Sequence, residues 1–166
     1  MIKLLVLDVD GCLTDGKIIY ASDTSETKEF NVKDGLAIAS WIKLGHHVAI
    51  ITGRNSVIVQ KRADELGIQY LYQGIKDKAA ILHEIVTQLN IELYEVAAIG
   101  DDLNDYRMLN SVGRSFTPKD GVSDIQKSVD TILSKKGGDG AVREMIDIIL
   151  EENDEREEFL SLWIEE

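Results

Sequence analysis

Ile2-Lys3-Leu4-Leu5-Val6-Leu7-Asp8-Val9-Asp10-Gly11 predicts a central strand that ends in two acidic side chains. An apolar run interrupted once by lysine is typical of a strand that helices cover on both faces, as in parallel sheets. Asp8 and Asp10 share one face because side chains alternate along a strand, and Gly11 permits a sharp turn after them. Parallel sheets bind ligands at the carboxyl ends of such strands. The two acids are therefore candidates for chemistry, although a D-x-D-G motif alone is equally consistent with an acidic loop and a turn.

Further apolar runs alternate with segments of helical period, which predicts an α/β fold: a single Rossmann-like domain with a mostly parallel sheet flanked by helices. The apolar runs predict strands at residues 4–7, 48–51, 70–72, 96–99, 112–116 and 131–133. Residues 76–90 and 140–150 carry apolar side chains at positions i, i+3, i+4 and i+7, which predicts two amphipathic helices. We expect this domain to span residues 1–150.

Two segments depart from this alternation. Residues 17–31 contain two strand-like stretches around a polar run, which predicts a β-hairpin inserted after the first strand. A lone hairpin is marginally stable in water, so we expect it to pack against another surface, such as a second subunit. Residues 151–166 form an acidic tail, which we expect to be helical and to dock on the parent domain or a neighbouring subunit; a frayed, solvated tail is the alternative. Its apolar stripe would contain Phe159, Leu160, Trp163 and Ile164.

Charge and composition exclude several classes of function. A net charge of −12 over 166 residues argues against binding to nucleic acid or to a membrane, both of which select basic surfaces. An anionic substrate would be repelled unless the site carried its own positive charge, which a divalent cation on the carboxylates would supply. The single cysteine, Cys12, has no histidine in a shared motif, so we expect it to be small apolar filler. Without a leader sequence or an apolar run near the ~20 residues of a membrane span, we expect a cytoplasmic protein.

Later strands carry polar groups to the same edge of the predicted sheet. Thr52-Gly53-Arg54 follows one strand, where a hydroxyl and the N–H groups of a helix start suit phosphoryl oxygens. Gly100-Asp101-Asp102-Leu103-Asn104-Asp105 follows another, and its three acids exceed what a helix cap needs. Such oxygen ligands suit Mg²⁺. Lys78, at a predicted helix start where the helix dipole disfavours a cation, is a candidate for anion binding.

In this order, the motifs resemble those of the haloacid dehalogenase superfamily of phosphohydrolases. The resemblance implies that Asp8 attacks phosphorus and forms an aspartyl-phosphate, while Asp10 protonates the leaving alkoxide and then activates water. It also implies that Thr52 and Lys78 hold the transferring group.

The same resemblance implies a magnesium site. Mg²⁺ would be held by Asp8, the main-chain carbonyl of Asp10 and Asp101. Asp102 and Asp105 would orient metal-bound waters or the lysine.

Three further segments of the sequence accompany these motifs: Phe30-Asn31-Val32-Lys33-Asp34-Gly35, Tyr72-Gln73-Gly74 and Gly137-Gly138-Asp139-Gly140-Ala141-Val142-Arg143-Glu144. With them, the chain resembles a capless branch of the superfamily that acts on 3-deoxy-D-manno-octulosonate 8-phosphate. There is no insertion large enough for a cap domain, so the hairpin and a neighbouring chain must close the site. The resemblance covers about residues 1–150. It implies release of phosphate and the free sugar acid, in lipopolysaccharide precursor synthesis, by a homotetramer. The substrate contacts it implies are Asp10, Asn31, Val32, Lys33, Asp34, Gly35, Thr52, Gly53, Arg54, Arg62 and Lys78.

Two arginines are candidates for binding the sugar carboxylate. Arg54 and Arg62 are eight residues apart, about two helical turns, so they can face the same side, and a guanidinium suits a carboxylate. The alternative is a surface ion pair of Arg62 with Asp64 or Glu65. Lys33 stands where many relatives carry arginine, which keeps the charge but loses the bidentate geometry.

Three other functions fit part of the pattern. A phosphatase for a nine-carbon ulosonate 9-phosphate or another sugar phosphate shares nearly every motif, but Arg54 argues against the nine-carbon branch, where a non-basic residue is expected. A receiver-type signalling domain would carry its phosphoacceptor at the end of the third strand. A non-catalytic oligomerising relative is disfavoured because every catalytic position is filled.

Overall fold

The structure of the chain, a computed structural model, describes residues 1–164. Its helices and strands in chain order are β1 (Leu4–Leu7), β2 (Ile19–Tyr20), β3 (Glu26–Thr27), α1 (Val32–Lys43), β4 (His47–Ile51), α2 (Val57–Leu66), β5 (Tyr70–Tyr72), α3 (Lys78–Leu89), β6 (Val96–Ile99), α4 (Tyr106–Leu109), β7 (Arg114–Thr117), α5 (Ser123–Gln126), β8 (Thr131–Ile132), α6 (Ala141–Glu152) and α7 (Arg156–Ile164).

Six strands form one sheet in the order β5-β4-β1-β6-β7-β8, and every neighbouring pair is parallel. This confirms the predicted α/β fold. Leu7 pairs with Ile50 of β4 on one side and with Ile99 of β6 on the other, so the sheet is extended first through β4 and β5 and then, on the opposite side of β1, through β6, β7 and β8. Doubly wound sheets bind ligands at the carboxyl end of this switch point, where the flanking connections diverge. The predicted strands all occur, and their ends differ by at most two residues.

Strand β1 is buried on both faces, as its apolar sequence predicts. Leu5 and Leu7 pack with α1, α2, α6 and α7 on one face of the sheet, and Leu4 and Val6 pack with α3, α4 and α5 on the other. All four side chains are fully buried. The strand that carries the acid pair is therefore held by two cores at once.

The predicted hairpin is present but short. Strands β2 and β3 are antiparallel and two residues long, with Ile19 opposite Thr27. They form a separate sheet, and Ile18, Ile19 and Tyr20 are exposed. The hairpin therefore leaves apolar surface open in a single chain.

The C-terminal tail is helical and docks on the parent domain. Phe159 is buried in the same core as α1 and α6, and Leu160 packs against it. Trp163 donates its indole N–H to Ser40 Oγ at 3.0 Å but stays half exposed, and Ile164 is exposed. The expected domain end at residue 150 lies inside α6, and Glu165 and Glu166 of the predicted tail lie outside the described residues. Among residues 1–164, none of the helices has the length and apolar character to cross a membrane.

Candidate active site

The loop after β1 brings two carboxylates together. Asp8 donates its backbone N–H to the carbonyl of Ile99 at 3.2 Å, which ties the end of β1 to the end of β6. Gly11 has a φ of +92°, and a Cβ at this position would overlap the carboxylate of Asp101. Only glycine satisfies both the backbone conformation and the close approach. The D-x-D-G loop is thus shaped so that the Asp101 carboxylate can lie directly against it.

Lys78 lies between two buried acids. Its Nζ donates to Asp8 Oδ1 at 2.9 Å and to Asp105 Oδ1 at 2.5 Å. The side chains of Lys78 and Asp105 are 1% and 0% exposed. Asp105 Oδ2 also accepts the backbone N–H of Asp101 at 3.0 Å. Asp105 therefore fixes both the lysine and the loop after β6.

Asp102 has a different local role. Its Oδ1 accepts the N–H of Leu103 at 2.7 Å, so it caps the short helical turn Leu103–Asp105. Asp102 also lines the same cavity as Asp8. One of the three acids is thus used as a cap, and it remains beside the site.

Burial and mutual repulsion change the acid strengths at this edge. Burial raises the pKa of Asp8 to about 6; Asp105 adds to this, and Lys78 opposes it. Burial likewise raises the pKa of Asp101 to about 8, with the charges of Asp8 and Asp105 contributing. Burial lowers the pKa of Lys78, but attraction from the two acids more than offsets it and the net pKa is raised. The site therefore holds more negative charge than its ammonium neutralises.

The donor set at this point fits a hard divalent cation. Asp8, Cys12 and Asp101 bring one possible ligand atom each to within 4.8 Å of one another. Burial and the nearby acids raise the pKa of the Cys12 thiol well above its usual value, so it stays protonated and is a poor ligand. Mg²⁺ prefers oxygen, and the two carboxylates supply it. A cation here would also relieve the repulsion that raises both carboxyl pKa values.

Most of the predicted catalytic residues open onto one cavity of about 240 Å³. Its lining residues are Asp8, Asp10, Gly16, Thr52, Gly53, Arg54, Asp101, Asp102 and Asn104. Lys78 and Asp105 lie behind this wall and reach it through Asp8. The cavity thus combines a buried nucleophile candidate, a hydroxyl and a guanidinium.

Other predicted substrate contacts lie elsewhere in the single chain. Asn31 and Lys33 line a separate cavity of about 530 Å³. Val32 and Arg62 line a third, of about 280 Å³. Arg62 lies 3.6 Å from Glu65, so the surface ion pair considered as an alternative is present.

Arg54 and Arg62 do not share a cavity within one chain. Arg54 lies in the loop before α2, which begins at Val57, so helical spacing does not relate the two guanidinium groups. The expectation that they face the same side is therefore not met within one chain.

Asp34 and Gly35 are buried at the start of α1. Asp34 Oδ1 accepts the N–H of Arg143 at 2.8 Å and so caps α6, and burial raises the pKa of Asp34 to about 6. A Cβ at Gly35 would crowd the guanidinium of Arg62. In the single chain, both residues serve packing between helices.

The hairpin supplies charged residues that the motifs did not identify. Lys28 Nζ lies 2.6 Å from Asp10 Oδ1 and 2.8 Å from Glu26 Oε1. Arg54 Nη2 donates to Glu26 Oε2 at 3.0 Å and lies 3.5 Å from the Tyr20 hydroxyl. The available signal was the two-residue spacing of Glu26 and Lys28, which puts them on one face of a strand.

Comparison with known proteins gives consistent matches. The sequence profile of the haloacid dehalogenase-like hydrolases matches residues 26–113. The 3-deoxy-D-manno-octulosonate 8-phosphate phosphatase of Yersinia pestis is 42% identical over 156 residues, which cover 94% of this chain and 83% of that protein. The protein of the same name from Escherichia coli K12 is 40% identical over 149 residues, 90% of this chain and 79% of that protein.

A solved structure is similar over nearly the whole fold. The crystal structure of 3-deoxy-D-manno-octulosonate 8-phosphate phosphatase from Moraxella catarrhalis, in complex with a magnesium ion, a phosphate ion and a KDO molecule, superposes with a TM-score of 0.92. It is 42% identical, and the match covers 97% of this chain and 93% of that one. The similarity thus extends from the motifs to the arrangement of the sheet and helices.

Proposed function

Because the chain belongs to the haloacid dehalogenase-like hydrolases, we propose that it is a Mg²⁺-dependent phosphatase that hydrolyses 3-deoxy-D-manno-octulosonate 8-phosphate. The observation that carries this proposal is the cavity where Asp8 and Asp101 meet beside Thr52 and Arg54. The pKa values of Asp8 and Asp101 are raised because negative charge is crowded in a buried place, and a bound cation would offset that charge. The two relatives named 3-deoxy-D-manno-octulosonate 8-phosphate phosphatase match 94% and 90% of this chain.

In the first step, Asp8 is the nucleophile. One of its oxygens bonds to phosphorus as the bond between phosphorus and the sugar oxygen breaks, which leaves an aspartyl-phosphate. Asp10, two residues further along the loop, gives its proton to the departing alkoxide. Lys78, 2.9 Å from Asp8 Oδ1, fixes the nucleophile, and the Thr52 hydroxyl opens onto the cavity where it can donate to a phosphoryl oxygen.

In the second step, Asp10 acts as a base. It takes a proton from water as the water oxygen bonds to phosphorus, and the bond to Asp8 breaks to release inorganic phosphate and the free carboxylate. The acid and base tasks thus alternate on one side chain, which returns to its starting state. Mg²⁺ held by Asp8, Asp101 and the carbonyl of Asp10 would offset the negative charge of the phosphoryl oxygens.

Arg54 favours a sugar acid as the substrate. Its guanidinium is exposed at the mouth of the catalytic cavity, where it can form a bidentate pair with a carboxylate. The same residue argues against the nine-carbon ulosonate 9-phosphate as the preferred substrate. In its own chain Arg54 pairs with the carboxylate of Glu26 at 3.0 Å, which supports a carboxylate as its partner.

The remaining substrate contacts are proposed to come from a neighbouring chain of a homotetramer. Asn31, Val32, Lys33 and Arg62 line other cavities of their own chain, from which they could complete the site of a neighbour. Exposed apolar side chains near them and on the hairpin would be buried by assembly: Ile19, Tyr20, Val32 and Val57. We also propose a cytoplasmic protein, in keeping with one buried free thiol.

Release of phosphate from a panel of sugar phosphates tests the substrate. With Mg²⁺ present, the eight-carbon sugar acid phosphate should be turned over with the highest kcat/KM, ahead of the nine-carbon ulosonate 9-phosphate and of hexose phosphates. Equal turnover of hexose phosphates would contradict the substrate proposed, and activity undiminished by a chelator would contradict the metal. Light scattering on a size-exclusion column tests the tetramer independently.

A further inference from the structure

Lys28 is an anchored cation that the reaction steps above do not use. It follows β3 directly, and its side chain is only 2% exposed. A buried ammonium is costly unless it is paired, and Lys28 is paired twice, with Asp10 Oδ1 at 2.6 Å and Glu26 Oε1 at 2.8 Å. Neither Lys28 nor Glu26 lines the catalytic cavity. The lysine therefore acts on the site through Asp10 rather than on bound substrate.

The ion pairs continue from Lys28 to Arg54. Glu26 Oε1 faces Lys28, while Glu26 Oε2 accepts from Arg54 Nη2 at 3.0 Å. Four side chains of alternating charge thus run from the acid/base candidate to the carboxylate-binding candidate: Asp10, Lys28, Glu26 and Arg54. The two end members open onto the cavity, and the two middle members belong to the hairpin.

We propose that Lys28 is a positioning residue that holds the Asp10 carboxyl in the orientation needed to protonate the leaving oxygen, and that Glu26 locks Lys28 and Arg54 in place together. This rests on the phosphatase function proposed above. Asp10 makes no other hydrogen bond or ion pair through its carboxylate within residues 1–164. Without Lys28, that side chain would be free to rotate, whereas Asp8 would still be held by Lys78.

The leaving group provides the test that separates positioning from general damage. A sugar alkoxide needs a proton from Asp10 to leave, whereas a nitrophenolate leaves without an acid. The value of kcat/KM includes only the steps up to the first irreversible one, here the departure of the leaving group. A defect in Asp10 orientation should therefore reduce kcat/KM for the sugar phosphate and spare p-nitrophenyl phosphate.

The experiment compares Lys28→Met, Lys28→Arg and wild type on both esters with Mg²⁺. We expect Lys28→Met to lower kcat/KM about 10- to 100-fold on the sugar acid phosphate and less than about threefold on p-nitrophenyl phosphate. Lys28→Arg, which keeps the charge, should recover most of the loss. Lys17→Met is the matched control, since Lys17 is an exposed hairpin lysine whose one ion pair within residues 1–164 is with the exposed Asp15.

Equal losses on the two esters would overturn the positioning role and indicate that Lys28 only supports the hairpin. An unchanged kcat/KM on the sugar phosphate would overturn it as well. These outcomes differ from failure of the proposed function, in which wild type itself would not release phosphate from the sugar acid phosphate. If wild type prefers another alkyl phosphate, the same ratio measured with that ester decides the role of Lys28.

Discussion

The carboxyl edge of the sheet and the hairpin both send charged side chains to one cavity, but they hold them differently. At the sheet edge, Asp8, Lys78 and Asp105 are buried and fixed by strands and helices that two cores support. On the hairpin, Glu26 lies in a strand of two residues and Lys28 directly follows it, and the apolar side chains of the opposite strand are exposed. The hairpin charges are held mainly by one another and by Asp10 and Arg54.

This difference suggests a division of tasks. Groups on a rigid, desolvated frame suit the part of the reaction that every phosphate ester shares, since preorganised charge is most effective there. Groups on a short hairpin can adjust to the rest of the substrate and to a neighbouring subunit. If substitutions at the two places changed the same kinetic quantity by the same factor, the sheet edge and the hairpin would not differ in task.

The largest expected effect comes from Asp8→Asn at the sheet edge. The amide has nearly the same shape but cannot form the aspartyl-phosphate, so kcat should fall by roughly four orders of magnitude or more on every ester. Phosphate release from the sugar acid phosphate and from p-nitrophenyl phosphate measures this. Circular dichroism and thermal unfolding serve as the control for folding. Activity that survives in Asp8→Asn would show that another group is the nucleophile.

Lys78→Met should damage stability as well as rate. Removing the ammonium leaves Asp8 and Asp105 facing each other in a buried site, and the loss of one partner of a buried pair costs about 3 to 5 kcal/mol. Urea unfolding measures the change in the free energy of unfolding. Lys127→Met, which removes an exposed lysine near Asp124, is the control and should change it by less than about 0.5 kcal/mol. Similar values for the two variants would mean that the sheet edge does not depend on this ammonium.

Arg54→Met should change selectivity rather than the common chemistry. A charged hydrogen bond contributes about 1.5 to 3 kcal/mol, so kcat/KM for the sugar acid phosphate should fall about 10- to 100-fold. A sugar phosphate without a carboxylate has no such contact to lose and should be affected less than about threefold. The ratio of the two values measures the effect. Equal losses would place Arg54 with the groups that serve every ester and would remove the distinction between the two regions.

The sheet edge was predictable because its evidence is local in sequence. An apolar run predicts a strand, and the residues that follow it are the side chains at the carboxyl end of that strand. Parallel strands bring their carboxyl ends to one edge of the sheet. Asp8, Thr52 and Asp101 could therefore be expected together before any contact was known, and all three line the cavity. The resemblance also implied that Asp105 orients either metal-bound waters or Lys78, and its carboxylate lies beside Lys78.

The hairpin contacts could not be predicted in the same way. Its two-residue period shows that Glu26 and Lys28 share a face, but the direction in which the hairpin folds decides what that face meets. Lys28 reaches Asp10 across 18 residues, and Glu26 reaches Arg54 across 28. The eight-residue spacing of Arg54 and Arg62 did not predict their positions for a related reason. Arg54 precedes the helix that carries Arg62, so helical geometry does not relate the two side chains.

The smallest effect expected is a pH dependence of stability that the sheet edge should produce and the hairpin should not. The pKa of Asp101 is raised to about 8 and that of Asp8 to about 6, against ordinary values near 4 in the unfolded chain. Between pH 6 and 8 the metal-free folded protein therefore binds more protons than the unfolded chain. The free energy of unfolding therefore falls as pH rises. The stabilising effect of the raised pKa values is fully present below pH 4, where both carboxyl groups are protonated in either state, and it is lost as the pH rises through 8.

Thermal and urea unfolding in a chelator should show a fall of about 1 to 2 kcal/mol from pH 6 to pH 8. Saturating Mg²⁺ should remove this fall, since a cation favours the deprotonated carboxylates that repulsion otherwise penalises. Asp101→Asn should flatten the metal-free profile, whereas Glu26→Gln on the hairpin should leave its slope in place. A metal-free stability that instead rises over this range would mean that Asp8 and Asp101 do not share a crowded site, and the contrast between the sheet edge and the hairpin would lose its electrostatic basis.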